Sequence, residues 1–343
     1  MNSCTLTSKQ IKKRLIYSFI LIILLMVILD GLLYFVIDRR TTKYSFVEEK
    51  QSKIKHFNLN YKEHRDIIFI GDSRTIFHIS SKVFKENDLD IYNFGVSGNA
   101  LVDYPAYVIN SINQQPKMIV LNLALEDLYT PIGEASNPSL SDILFYKEIG
   151  NSRLFMGNIY KWLFSYHMVY NYSEALVIKS KLLYDSFEPQ IKITTTNSSS
   201  VNKPSKIEYD CTPFIIQKIN RNKTIVKCKN GDGLLLGNID ELPIRRPKIL
   251  RRLNKLKISI LKTLIKEAND KNIKVIVVFE PILYNKYIIK NNLFDDLKGI
   301  NFLNLSDYFL DKKFIVDAGH FNVYGRKVYS EFLVKKLKSE LND

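Results

Sequence analysis

Asp66-Ile67-Ile68-Phe69-Ile70-Gly71-Asp72-Ser73-Arg74 is an apolar run that stops abruptly at a glycine, an acid and a hydroxyl. Consecutive apolar residues without alternation fit a strand buried on both faces, as in a parallel sheet covered by helices. Such a strand delivers the residues after it to the carboxyl edge of the sheet, where open α/β sheets bind ligands. Ser73 is therefore a candidate nucleophile. The competing reading is structural: Asp72 and Ser73 cap a helical turn that starts just after them.

Similar runs recur at residues 91–94, 118–123, 275–279 and 302–305. Between and after them, apolar residues fall at helical spacing: Leu101, Tyr104, Val108 and Ile112 within 100–115; Leu253, Leu256, Ile260, Leu261, Leu264 and Ile265 within 249–270; Val328, Phe332, Leu333 and Leu337 within 323–341. Strands alternating with helices, joined by right-handed crossovers, predict a three-layer α/β/α fold. It is a doubly wound, flavodoxin-like parallel sheet of about five strands. Residues 131–246 break the rhythm with Pro131, Pro138, a helical tyrosine-rich stretch at 160–184 and a Ser/Thr/Asn cluster at 194–200. They read as a large insertion after the third strand, at the edge where loops carry specificity. Its Tyr160, Trp162, Phe164, Tyr166, Tyr170 and Tyr172 suit either a sugar-stacking surface or the insertion's own core, the commoner use of aromatics.

The amino terminus bears on the compartment. Residues 15–37 form an apolar run broken only by Asp30. At about 1.5 Å per residue it spans roughly 34 Å, enough for a bilayer core of about 30 Å. Lys9, Lys12, Lys13 and Arg14 precede it; Arg39, Arg40 and Lys43 follow. The basic excess favours an uncleaved anchor with the amino terminus inside and the bulk outside. The expected organisation is a cytoplasmic tail (1–14), a transmembrane helix (15–37), a stalk (38–63) and a main domain (64–343) holding the insertion. Asp30 within the span is either reached by water near the outer interface or touches another membrane protein. Fifty basic against 35 acidic residues give a net charge of +15, which suits an anionic partner such as lipid headgroups or an acidic glycan. No basic-aromatic module or zinc-finger spacing points to nucleic acid, and no metal or cofactor is expected.

Of the three cysteines, Cys4 would lie inside and Cys211 and Cys228 outside, where disulfides persist. Strand-like runs at 214–219 and 224–226, joined by Asn220-Arg221-Asn222-Lys223, would bring Cys211 and Cys228 close if they form a hairpin. Asn-x-Ser/Thr occurs at Asn171, Asn197, Asn222 and Asn304, as chance allows in an Asn-rich chain.

Three further segments carry chemistry. In Val316-Asp317-Ala318-Gly319-His320-Phe321-Asn322 a turn would set Asp317 beside the His320 imidazole, fixing its tautomer while the other nitrogen faces a serine; helix capping is the alternative. Asn93-Phe94-Gly95-Val96-Ser97-Gly98-Asn99 follows the second strand, and its glycines let backbone approach a ligand and aim an N–H at an oxyanion. Leu123-Ala124-Leu125-Glu126-Asp127 follows the third strand with two acids.

These blocks resemble the SGNH (GDSL-like) hydrolase superfamily. Gly71-Asp72-Ser73 is similar to its first block, Gly98 within Val96-Ser97-Gly98-Asn99 to its second, and Asp317-Ala318-Gly319-His320 to its last. They stand in family order over residues 66–128 and 273–341. The resemblance implies Ser73 as nucleophile, His320 as base and Asp317 as its orienter. It also implies oxyanion donors from the Ser73 and Gly98 N–H groups, with Asn99 a further candidate. One block departs: where the family usually has an asparagine, this chain has Glu126, and an ionised carboxylate cannot donate. Asn99 or Arg74 would then have to replace it. With the anchor, the chain looks like membrane-bound SGNH-like proteins that move acyl groups onto cell-envelope polymers beside a multi-spanning membrane acyltransferase. The expected function is acyl transfer or ester hydrolysis on an extracytoplasmic glycan. Its rival is a catalytically impaired scaffold that binds a glycan or supports such a partner.

Overall fold

The five runs read as buried strands pair side by side in one sheet. The structure, a computed structural model, describes residues 8–36, 46–59, 65–136, 138–165, 211, 213–220, 223–228, 230–241, 246–250, 252–283, 285–289, 293–308 and 310–342. In chain order the elements are α1 (Ser8–Val36), α2 (Phe46–Leu59), β1 (Ile67–Gly71), α3 (Ser73–His78), α4 (Ser81–Lys85), β2 (Ile91–Gly95), α5 (Pro105–Ile112), β3 (Met118–Leu123), α6 (Leu140–Glu148), α7 (Ser152–Ser165), β4 (Pro213–Asn220), β5 (Lys223–Cys228), β6 (Gly233–Leu236), β7 (Arg246–Leu250), α8 (Lys255–Asn269), β8 (Lys274–Phe279), β9 (Asn285–Ile289), β10 (Phe302–Asn304), β11 (Ile315–Asp317), β12 (His320–Phe321) and α9 (Val323–Asn342).

The main sheet runs β10-β8-β3-β1-β2, parallel at every pairing. This is the flavodoxin-like order, whose switch point lies between β1 and β3. Alternate residues serve opposite layers. Ile68, Ile70, Phe94, Leu121 and Val277 join Tyr107 and Val108 of α5, Leu261 and Leu264 of α8 and Phe57 of α2. Ile67, Phe69, Ile91, Val120 and Ile276 face Phe84 of α4 and Tyr329, Leu333 and Leu337 of α9. Both faces are covered, which is why the strands read as continuous apolar runs.

Two helices differ from the expected spans. A 3₁₀ turn at Leu101–Asp103 precedes α5, which opens at Pro105: proline suits a first helical turn and breaks an interior. The span expected from residue 249 starts at Lys255, where Asn254 caps it through the N–H groups of Leu256 and Lys257; residues before it form β7, parallel to β9.

The chain divides into two units, one of residues 1–45 and 160–201, the other of 46–159 and 202–343. In the first, α1 carries exposed Leu15, Ile16, Phe19 and Ile20. Among the described residues no helix is long and apolar enough to cross a membrane. Cys4, the side chain of Asp30, the 194–200 cluster, Tyr166, Tyr170, Tyr172, Asn171, Asn197 and Asn222 lie outside what the structure describes. Tyr160 is exposed.

In the second unit, parts of the 131–246 block are built into the main body. Phe145, Tyr146 and Leu154 belong to the larger core. Strands β4-β5-β6 form an antiparallel sheet, and Cys228 at the end of β5 is bonded to Cys211 ahead of β4. Leu235 of β6 packs on Ile76 and Phe77 of α3 and on Val316. At the β5–β6 turn, Asp232 accepts from Arg326 at 2.7 Å, both side chains fully buried, and from the Ser81 N–H and hydroxyl.

Candidate active site

Each polar side chain of the site comes from the end of a strand. At Gly71 the backbone passes so close to Thr75 and Asn122 that a Cβ would overlap them, so the chain leaves β1 in a tight turn. Asp72 then caps α3, accepting from the Arg74 N–H at 2.7 Å. Capping and chemistry therefore coexist: Asp72 is the cap, and Ser73 is the first residue of the helix.

From that position Ser73 Oγ lies 2.9 Å from His320 Nε2. His320 Nδ1 lies 2.8 Å from Asp317 Oδ1. The turn anticipated between them is a two-strand pairing in which Asp317 stands opposite His320. Asp317 Oδ1 also accepts from the Gly319 N–H at 2.8 Å. With a carboxylate at Nδ1, that nitrogen carries the proton, and Nε2 offers a lone pair to the Ser73 hydroxyl. Burial raises the Asp317 carboxyl, but the hydrogen bond and charge of His320, with Lys223 and the Gly319 N–H, outweigh it and hold it well below the carboxylate range. Phe77 packs edge-on against the His320 ring at 5.6 Å between centroids.

Around this line the other candidates fall differently. The loop after β2 runs beside the Gly-Asp-Ser turn: the Val96 N–H donates to the Gly71 carbonyl at 3.0 Å, and Asn99 Nδ2 stands 3.5 Å from it. Gly98 has φ of +73° with open space on its Cβ side. Glu126 sits half-buried in a 3₁₀ turn at Leu125–Leu128, where Tyr129 Oη lies 3.5 Å from its Oε2. Arg74, proposed as a substitute donor, is drawn to acids: its guanidinium donates to Asp72, and Nε stands 3.5 Å from Glu280 Oε2, an ion pair too long for a hydrogen bond. Burial and then the charge of Asp72 push the Glu280 carboxyl well above its usual range, although Arg74 and the Thr75 hydroxyl pull it down. Cys228 ends β5 of the small antiparallel sheet and is bonded to Cys211, two residues before β4.

Sequence reasoning missed two contributors. Lys223 of β5 donates to Asp317 Oδ2; a lysine at a hairpin turn carries no sequence signal for this. His78, at the end of α3, is fully buried and accepts the Phe321 N–H at Nε2, 3.2 Å away. Burial first, then His320 and Arg74, keep it well below the usual histidine value, so it stays neutral. Among the described residues no His/Cys/Asp/Glu group could hold a metal ion.

No protein-family model matches the chain, and no curated protein does. Among solved structures it is similar to a "putative lipolytic protein of G-D-S-L family" from Desulfitobacterium hafniense DCB-2. The two are 9% identical, with 78% of this chain and 97% of that chain covered and a TM-score of 0.32.

Proposed function

We propose that this protein is a serine-dependent acyl-transfer enzyme of the SGNH type, acting as O-acyltransferase or acetylesterase. The observation that carries the reading is the line Ser73 Oγ, His320 Nε2, His320 Nδ1, Asp317 Oδ1, with contacts of 2.9 and 2.8 Å. In this reading Ser73 Oγ attacks the acyl carbonyl while its proton passes to His320 Nε2. Asp317 stabilises the imidazolium, and His320 then protonates the departing alcohol. Water or a sugar hydroxyl next attacks the acyl-serine, giving up its proton to His320, which passes it to Ser73 Oγ as the acyl–Oγ bond breaks. Backbone N–H groups of Ser73 and Gly98, with Asn99 close by, are the proposed oxyanion donors.

For the acceptor we propose an extracytoplasmic cell-envelope glycan, with residues 15–37 as membrane anchor, the main domain outside, and a multi-spanning acyltransferase as partner. The apolar run and the bonded Cys211–Cys228 pair support this placement, since disulfides persist in oxidising compartments. One feature favours the rival, an impaired scaffold: Glu126 stands where an amide donor is expected, and Arg74 is held by acids.

The full chain in detergent, incubated with a chromogenic acetyl ester and a fluorophosphonate probe, is expected to hydrolyse the one and be labelled by the other. Ser73→Ala is expected to abolish both. A well-folded wild-type chain that does neither supports the scaffold.

A further inference from the structure

One face of β5 lies along the site. Side chains alternate along a strand, so Lys223, Ile225 and Lys227 share a face. Lys223 reaches Asp317 Oδ2. Ile225 packs against Ile76, Phe77, Leu235 and Val316, the cluster beneath the Ser73 helix. Lys227 donates to Glu49 Oε1 at 2.8 Å, while Glu49 Oε2 accepts the Ser97 N–H at 3.1 Å, in the loop that holds Gly98. The opposite face carries Val226 and Cys228, packed with Leu234 and Cys211. The strand is fixed at its far end by the disulfide and by the buried Asp232–Arg326 pair.

We propose that Lys223 is a positioning residue: it holds Asp317 through the oxygen that His320 does not use, and so sets the pH below which His320 can no longer take the Ser73 proton. Asp317 divides its charge between an ammonium and an imidazole. An ammonium fixed at Oδ2 opposes a second positive charge on His320, and this extends the neutral, proton-accepting form to lower pH. Other groups face the pair. Ser73 and neutral His78 come from α3, and Gly319 from the β11–β12 turn. Of the cations, only Lys223 donates to Asp317 among the described residues. The inference deepens the acyl-transfer reading and rests on it for activity, but the charge coupling is measurable without turnover.

The test uses the full chain in detergent with Lys223→Gln, Lys223→Met and Lys223→Arg, and Lys82→Gln as a surface control. Two quantities are tracked against pH: the His320 imidazole resonances, and the rate at which the fluorophosphonate labels Ser73. In the Gln and Met variants the His320 titration and the acid limb of labelling are expected to move up by about one pH unit, a roughly tenfold loss of labelling on the acid side. Arginine is expected to restore the wild-type profile. Unmoved titration in a folded Gln or Met variant overturns the proposal, even if labelling slows, because a purely structural support changes rate without moving the midpoint. If wild-type protein is never labelled but the titration still moves, the acyl-transfer reading fails and the Lys223 coupling stands.

Discussion

At the residue scale, two carboxylates in the turn after β3 make separate predictions. In the proposed acyl-transfer reading Glu126 takes the place of an amide donor to the oxyanion, and a lost donor in such sites costs about 2.7–4 kcal/mol. Glu126→Asn is therefore expected to raise kcat for the acetyl ester by about tenfold or more, with KM little changed. A fall in kcat would show that Glu126 itself serves the reaction. Asp127 next to it is pushed up to about 6, first by burial and then by the charge of Asp72, against Arg74 and Lys257. The folded chain thus holds this proton more tightly than the unfolded chain does. Below an ordinary aspartate value of about 4 the group costs no stability; the cost grows as pH rises towards the folded value and is constant above it. Asp127→Asn is expected to raise the thermal midpoint at pH 8 by about 2–4 °C and to leave it unchanged near pH 4. Thermal unfolding at the two pH values decides.

At the scale of elements, the β4-β5-β6 sheet is the part whose role changes most between sequence and structure. In the sequence it belongs to a block without βα rhythm, recognisable only by two cysteines flanking strand-like runs. In the fold its β6 packs on the Ser73 helix, and its β5–β6 turn is bolted to α9 by Asp232 and Arg326. Asp232 also receives the Ser81 N–H and hydroxyl, so it ties the sheet to the start of α4. Removing one member of a fully buried ion pair strands the other, at a cost of about 3–5 kcal/mol. Asp232→Ala is expected to lower the urea midpoint accordingly. It is also expected to slow Ser73 labelling at pH values where stability is not limiting, because Lys223 loses its support.

For the whole molecule, the proposed placement turns on α1 and the cysteine pair. If residues 15–37 anchor the chain with its main domain outside, the full chain is expected to sediment with membranes and resist extraction by salt or alkali. A chain starting at Phe46 is expected to be soluble. Cys211 and Cys228 are expected to resist thiol labelling in intact cells until reductant is added. Free thiols at both positions would remove the main internal support for export.

Much of this was written in the chain order itself. The strands around Ser73 are legible because a strand buried on both faces needs an unbroken apolar run, and that need is local. Gly71, Ser73, Asp317 and His320 are legible as candidates because tight turns and the proposed chemistry restrict residue type at short range. The tertiary structure decided what depends on distant partners. It closed a gap of 247 residues between Ser73 and His320 to 2.9 Å. It carried Arg74 to Glu280, and it brought Lys223 to an aspartate 94 residues away. A lysine on a hairpin looks the same in sequence whether it meets water or a carboxylate. Only packing chooses between them, by setting which groups lose water together and must then satisfy one another.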